Sequence, residues 1–139
     1  MTNRELLENL AQHHEVLVIY LFGSRARDGE RALGGCEVER NGSDLDVGVL
    51  LKHAPSDLFL AYGGLQADLE ELFRPLRVDL VLLHEADAFL QEAAIKGIEI
   101  FCADPHRRDL YELEIMRRVG DLLPIQRQLE RVLYGTSSR

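Results

Sequence analysis

Three aspartates stand inside otherwise apolar segments of this sequence. Asp44 and Asp46 bracket Leu45 at the start of DLDVGVLL, and Asp79 interrupts RVDLVLL. Because strand side chains alternate between two faces, Asp44 and Asp46 are expected to point the same way, roughly 6.6 Å apart. Two carboxylates at the mouth of a buried strand repel each other and lose hydration. The pattern therefore predicts a cation that neutralises them.

A divalent metal ion fits these carboxylates best. No lysine or arginine lies within the apolar segment before Lys52, at its far end. Mg²⁺ prefers oxygen ligands and usually takes one or two carboxylates together with phosphate oxygens. If the two segments are neighbouring strands, Asp79 completes a cluster that could hold two metal ions about 3.5–4 Å apart. Each aspartate alone has an ordinary alternative, such as a loop residue, a helix cap or, for Asp79, a partner of Arg77.

A glycine–serine pair after the first apolar segment could supply a phosphate site. Gly23 lets a ligand approach the backbone, and Ser24 offers a hydroxyl and an N–H where a helix is expected to begin. Helix N-termini favour phosphate, and Arg25 and Arg27 could offset the charge of a triphosphate. Gly–Ser turns after strands are common, so the pair points to phosphate only in combination with the aspartates.

Strands and helices alternate along the chain. Apolar, β-branched segments predict strands at 16–22, 44–51, 77–83 and 98–103. Capping and stop signals predict helices at 3–13, 24–31, 57–73, 87–96 and 105–119, with a further helix from 121 or 124 to 134. The Asn–Gly pair at 41–42 favours a small hairpin before Asp44. The alternation predicts an α/β fold with a mixed sheet of about four to five strands, flanking helices and a helical tail at 105–139.

Length and charge narrow the class of protein. A chain of 139 residues suits a single domain. Its net charge of −8 argues against direct binding to nucleic acid. No segment is apolar enough for a membrane span, and the N-terminus does not resemble a signal peptide, so a cytoplasmic protein is expected. The arginines after residue 105 either mark a face for an acidic partner or are simply solvated.

The order of these motifs resembles a known superfamily. The segments LFGSRAR, SDLDVGVLL, RVDLVLL, GIEIFCADPHRR and DLLPIQR are similar to those of nucleotidyltransferases of the DNA polymerase beta type. The closer resemblance is to minimal nucleotidyltransferases, the antitoxin half of HEPN–MNT toxin–antitoxin pairs. It covers nearly the whole chain and implies the nucleotidyltransferase fold.

The resemblance also implies roles for individual residues. Asp44, Asp46 and Asp79 would be the catalytic carboxylates and Mg²⁺ ligands, the last also helping to deprotonate the acceptor. Gly23 and Ser24 would bind the nucleotide phosphates, assisted by Arg25 or Arg27. The implied activity is transfer of AMP from ATP to a tyrosine of a partner HEPN RNase toxin, which silences that toxin. These implied site residues are Gly23, Ser24, Arg25, Arg27, Asp44, Asp46 and Asp79.

The sequence departs from the family at one place and leaves alternatives open. Nineteen residues separate Ser24 from Asp44, more than the family usually has. The excess is assigned to an inserted loop or hairpin at 32–43, which either loops out or folds over the site. A non-catalytic antitoxin that neutralises its partner by complex formation is the main alternative function. Transfer to a small molecule is a second, which the absence of an evident pocket-forming second domain disfavours.

Overall fold

The sheet of the computed structural model is mixed and has four strands within the described residues, 1–135. The strand order is β3-β2-β1-β4. The central pair β1–β2 and the pair β1–β4 are antiparallel, whereas β2 and β3 are parallel. The strands are β1 (Val16–Phe22), β2 (Leu45–Leu51), β3 (Val78–Leu82) and β4 (Ile98–Cys102). This confirms the predicted mixed sheet, at the lower end of the expected strand number.

The helices pack on the two faces of this sheet. They are α1 (Asn3–His13), α2 (Ala26–Leu33), α3 (Leu58–Leu72), α4 (Ala88–Ile95) and α5 (Pro105–Tyr134). One core cluster joins α1, α2 and α3 to Ile19 and Leu21 of β1 and to alternate residues of β2. Tyr20 and Phe22 point the opposite way and pack with Ala94 of α4. Since both faces are covered, β1 is buried along its whole length, as its continuous apolar run predicts.

Side-chain caps fix where the helices begin. Thr2 and Glu5 form a capping box at α1. The carboxylates of Asp57 and Asp87 each accept an N–H of the first turn of α3 and α4. Asp104 accepts two N–H groups at the start of α5. These predicted helix starts are confirmed.

Residues 32–43 were expected to be a loop or a hairpin, and the structure has a loop that follows the last two residues of α2. Residues 34–44 contain no strand, and carbonyls of this loop bond to an arginine side chain instead of a ladder. The prediction of two separate helices after residue 105 was wrong. The C-terminal segment is one helix, α5, with Pro124 inside it. An interior proline removes one backbone hydrogen bond and crowds the preceding turn, but the good helix formers around it continue the helix. Residues 136–139, the end of the predicted tail, lie outside the described residues.

The second half of α5 extends away from the sheet. Ile115 and Val119 are the last residues of this helix that are buried. Beyond them, apolar side chains remain exposed, among them Ile125, Leu129 and Val132. Among the described residues, no helix combines the length and the apolar character needed to cross a membrane.

Candidate active site

The parallel pairing of β2 and β3 brings two of the predicted aspartates side by side. Asp46 and Asp79 are direct partners in the register of these strands. On its other side, Asp46 pairs with Phe22, the last residue of β1. The backbone then enters the turn that begins at Gly23. Both predicted carboxylates and the glycine–serine turn therefore meet at one end of the sheet.

The turn is built around the Asp46 side chain. Gly23 has a φ of +75°, in the left-handed region that favours glycine. A Cβ at this position would lie 2.1 Å from Oδ2 of Asp46. Gly23 is therefore required both by its backbone conformation and by the carboxylate that occupies the space of a side chain. This packing explains why the turn and the aspartate occur together.

The carboxylates disturb each other electrostatically. The pKa of Asp46 is raised, first by burial, then by the charge of Asp79 and hydrogen bonding with it, and last by the charge of Asp44. None of the ion pairs within residues 1–135 involves these three side chains. These three carboxylates therefore carry like charges, and none of them forms an ion pair with a basic side chain of the described residues.

Asp44 is placed less tightly than Asp46. It precedes the first residue of β2 and is exposed, whereas Leu45 is fully buried and Asp46 half-buried. In residues 1–135, no three potential ligand side chains stand close enough to form a ready-made metal site. The donor chemistry nevertheless fits Mg²⁺, since its usual ligands in proteins are one or two carboxylates together with phosphate oxygens of the substrate. The predicted neighbouring strands are confirmed, and the ligand roles of the three aspartates stay predictions.

The side chains that follow Gly23 divide into two groups. The Ser24 hydroxyl lies 3.0 Å from the hydroxyl of Ser43, on the loop before β2. Arg27 is exposed. Arg25 is buried, and its guanidinium is held by Asp28 and by backbone carbonyls of the loop. A phosphate-binding role is therefore compatible with Arg27, while Arg25 is engaged elsewhere.

Sequence reasoning missed the part that Ser43 and Arg25 play. Ser43 directly follows Asn41–Gly42 and directly precedes Asp44. Its position next to Asp44 was the one feature of the sequence that could have indicated a place at the site. The role of Arg25 had no signal, because its partners are main-chain carbonyls of residues 14 to 18 positions away. Every residue has a main-chain carbonyl, so the residue types of the loop do not reveal which of them accept these hydrogen bonds.

A mixed sheet that brings aspartates beside a Gly–Ser turn is the architecture of a nucleotidyltransferase domain. The model of the family described as "Polymerase beta, Nucleotidyltransferase" matches residues 4–106. The chain belongs to this family. No curated protein matches the sequence.

Solved structures share the fold over most of the chain. One chain in the crystal structure of the toxin–antitoxin MntA-HepT superposes with a TM-score of 0.64 at 18% identity, covering 91% of this chain and 92% of that one. One in a complex of a tri-AMPylated Shewanella oneidensis HEPN toxin with MNT antitoxin gives 0.65, at 18% identity and with coverage of 91% and 92%. One in a toxin–antitoxin crystallised with AMP-PNP gives 0.61, at 18% identity and with coverage of 91% and 94%. At this identity, the likeness shows a common fold.

Proposed function

We propose that this protein is an Mg²⁺-dependent antitoxin that transfers AMP from ATP to a tyrosine hydroxyl of a partner HEPN RNase toxin in the cytoplasm. The observation that carries the proposal is the carboxylate of Asp46, which lies between the Gly23 turn and Asp79 and forms no ion pair within residues 1–135. Membership of the nucleotidyltransferase family supports the reaction class. The complexes of MNT antitoxin with an AMPylated HEPN toxin, and of a toxin–antitoxin with AMP-PNP, support the partner and the nucleotide.

The turn would hold the phosphates of the nucleotide. Gly23 and Ser24 are both exposed, so a ligand can reach the turn beside the Asp46 carboxylate, and Ser24 adds a hydroxyl and an N–H. Arg27 is free of the loop and exposed, which suits a contact with phosphate. We assign Arg25 to the loop instead, because its donors already bond to protein oxygens.

Asp44, Asp46 and Asp79 would hold Mg²⁺. When bound, the metal ion neutralises charge on the reacting phosphate and on the leaving pyrophosphate. Asp46 is the most confined of the three, because β1, β3 and the Gly23 turn surround it. Asp44 and Asp79 are exposed, so they can shift to meet an incoming nucleotide.

The acceptor hydroxyl would approach from the exposed side of Asp79. In the reaction, the hydroxyl oxygen forms a bond to the α-phosphorus of ATP, and the bond from that phosphorus to the bridging oxygen breaks, releasing pyrophosphate. The proton of the hydroxyl passes to the carboxylate of Asp79 or to water. Positioning and charge neutralisation dominate such a transfer, so no nucleophilic side chain of the enzyme is needed.

The direct test is incubation with ATP, Mg²⁺ and a purified HEPN partner, followed by intact-mass measurement of that partner. The wild-type protein should add AMP units, and the partner should lose RNase activity. Asp44→Asn combined with Asp46→Asn should add none. Glu30→Gln is the matched control, because it neutralises an exposed acid of α2 that forms no ion pair within residues 1–135. A partner that stays unmodified with the wild-type protein contradicts the proposal.

A second function, neutralisation by binding alone, is favoured by the exposed apolar side chains of α5. Leu113, Ile125, Leu129 and Val132 are each more than half exposed, which is unusual for a helix with no partner. The same double aspartate variant separates the two functions. If it inhibits the RNase as fully as the wild-type protein does, binding suffices; if inhibition is lost, the transfer reaction is required.

A further inference from the structure

Arg25 is buried although it follows an exposed turn. Only 8% of the residue is accessible, the lowest value among the charged residues described. Its Nε donates to Asp28, while its terminal nitrogens donate to the carbonyls of Glu39, Asn41 and Ser43, at 3.0 Å for Asn41 and 3.1 Å for Ser43. Every polar end of the guanidinium is thus committed to protein oxygens, and three of these belong to one loop.

The loop has few other attachments to the domain. Val38 is the apolar side chain of this segment that packs against the core. An open groove of about 620 Å³ is lined by Arg25, Asp28 and Arg31 and by residues of the 37–41 segment. The loop ends at Ser43, whose hydroxyl reaches Ser24, and leads directly into Asp44.

Gly42 fits this arrangement closely. Its φ of +114° lies in the left-handed region, and a Cβ here would lie 3.0 Å from Nη1 of Arg25. The backbone of the loop therefore approaches the guanidinium at a point where a side chain would push it away. Gly35, earlier in the same loop, has a φ of +88° but no described atom within 4 Å of its Cβ position.

We propose that Arg25 is a positioning residue that ties residues 39–43 to the Gly23–Ser24 turn and thereby holds Ser43 and Asp44 at the edge of the nucleotide site. In this arrangement residues 39–43 line one side of the nucleotide site and are not a loop that projects away from it. The nucleotide part of this inference rests on the proposed function, whereas the tie between Arg25 and the loop does not.

An arginine is needed for geometric reasons. The guanidinium is planar and presents its donors in a fixed fork, so it can bond to several carbonyls and to Asp28 at once. A lysine ammonium keeps the charge but cannot span the same set of acceptors. Arg25→Lys therefore separates two roles for the residue: the fork that orders the loop and the charge that would attract phosphate.

The tie is tested by hydrogen–deuterium exchange of the ligand-free protein. Arg25→Lys should raise the exchange rate of the Leu45 amide, which follows the loop directly and donates to the carbonyl of Arg77, by about tenfold or more, because the loop no longer holds the start of β2 in place. The amides of β1 should keep their wild-type rates. Gly42→Ala should loosen the same amide from the loop side. Gly35→Ala, which also places an alanine in the left-handed region but away from Arg25, should leave the Leu45 amide unchanged and serves as the control.

Nucleotide affinity is measured by calorimetry with AMP-PNP and Mg²⁺. Arg25→Lys and Gly42→Ala should each weaken binding by about tenfold, and Gly35→Ala should not. Wild-type affinity in Arg25→Lys with a loosened loop would overturn the positioning role, since charge alone would then suffice. Unchanged exchange in both loop variants would overturn the tie itself. If the wild-type protein binds no nucleotide, the proposed function fails while the exchange result still decides whether Arg25 holds the loop.

Discussion

Two polar regions lie at different places on the same face of the sheet, and they are built differently. Toward α5, the Tyr20 hydroxyl donates to Glu112 at 2.6 Å, and the Tyr111 hydroxyl donates to Gln91 at 2.6 Å. At the end of β2 and β3, the carboxylate of Asp46 meets other carboxylates. Every polar group of the first region has a complementary partner, whereas the second gathers groups of one charge.

Both regions contain a side chain with a raised pKa, so the pKa does not distinguish them. The hydrogen-bond partner or neighbouring charge of that side chain does. Burial, followed by the hydrogen bond to Glu112, raises the pKa of Tyr20, and burial raises that of Asp46. For Tyr20 the neighbour accepts the proton in a hydrogen bond, which stabilises the fold. For Asp46 the neighbours repel its charge, which costs stability unless a cation is bound. The carboxylates at the end of β2 and β3 lower the stability of the fold, and groups that do so are typical of functional sites.

The largest effect should come from Asp46→Asn. Loss of the most confined carboxylate should reduce AMP transfer at least about 100-fold, because charge stabilisation worth several kcal/mol is removed. The unfolding free energy should stay equal or rise, since a repelling charge disappears. Intact-mass kinetics and urea unfolding measure the two quantities. A variant that loses both activity and stability would place Asp46 among the structural groups, like Tyr20.

A smaller loss of activity is expected for Gly23→Ala. The new Cβ would displace Oδ2 of Asp46 and impose strain at a φ of +75°. Transfer should fall on the order of tenfold, through the moved carboxylate. Gly35→Ala carries comparable strain without a neighbouring side chain and should keep wild-type activity. Equal losses in both variants would mean that backbone strain, not the contact with Asp46, matters.

A change at the Tyr20–Glu112 hydrogen bond should lower stability and leave activity unchanged, the opposite of the result expected for Asp46→Asn. Tyr20→Phe removes the hydrogen bond to Glu112, and the unfolding free energy should fall by about 1 kcal/mol, since the half-buried carboxylate can partly rehydrate. AMP transfer should not change. Tyr134→Phe, at a residue that is 82% exposed, should alter neither quantity. A drop in transfer at unchanged stability would link the α5 side to the active site.

The sequence allowed the strands and helix starts to be predicted because their signals are local. The apolar run of β1 and the caps Thr2, Asp57 and Asp104 depend on nearby residues, and the structure has them as predicted. The meeting of Asp46 with Asp79 could be predicted only on the assumption that their strands are neighbours, and the register confirms it.

What could not be predicted depends on long-range or main-chain partners. The segment before β2 was expected to be a loop or, from its Asn–Gly pair, a hairpin; it is a loop whose carbonyls bond to Arg25. A new helix was expected to start at Asp121 or Pro124, a local rule that the surrounding helix formers override. The partial burial of Asp46 and the exposure of Asp44 likewise follow from tertiary packing around the Gly23 turn.

The smallest expected effect is a pH dependence of stability that arises from Asp46. Since its folded-state pKa is raised above the ordinary value of 3.8, the fold binds this proton more tightly than the unfolded chain does. The resulting stability is present in acid and is lost as the pH rises from 3.8 through the raised pKa. The stability advantage of Asp46→Asn over the wild type should therefore grow across that window and then level off. Urea unfolding at a series of pH values measures it.

Two further measurements, on the Glu30→Gln control and on the wild-type protein with Mg²⁺, show whether this pH dependence comes from repulsion between the carboxylates. Glu30→Gln neutralises an exposed acid and should give a difference from wild type that is flat with pH. Mg²⁺ at neutral pH should stabilise the wild-type protein and shrink the advantage of Asp46→Asn, because the ion binds the ionised carboxylates of the fold and not the unfolded chain. If the advantage is the same at every pH, the carboxylates do not repel each other in the fold. Asp46 would then resemble Tyr20, a polar group whose surroundings already satisfy it, and the contrast between the two polar regions would disappear.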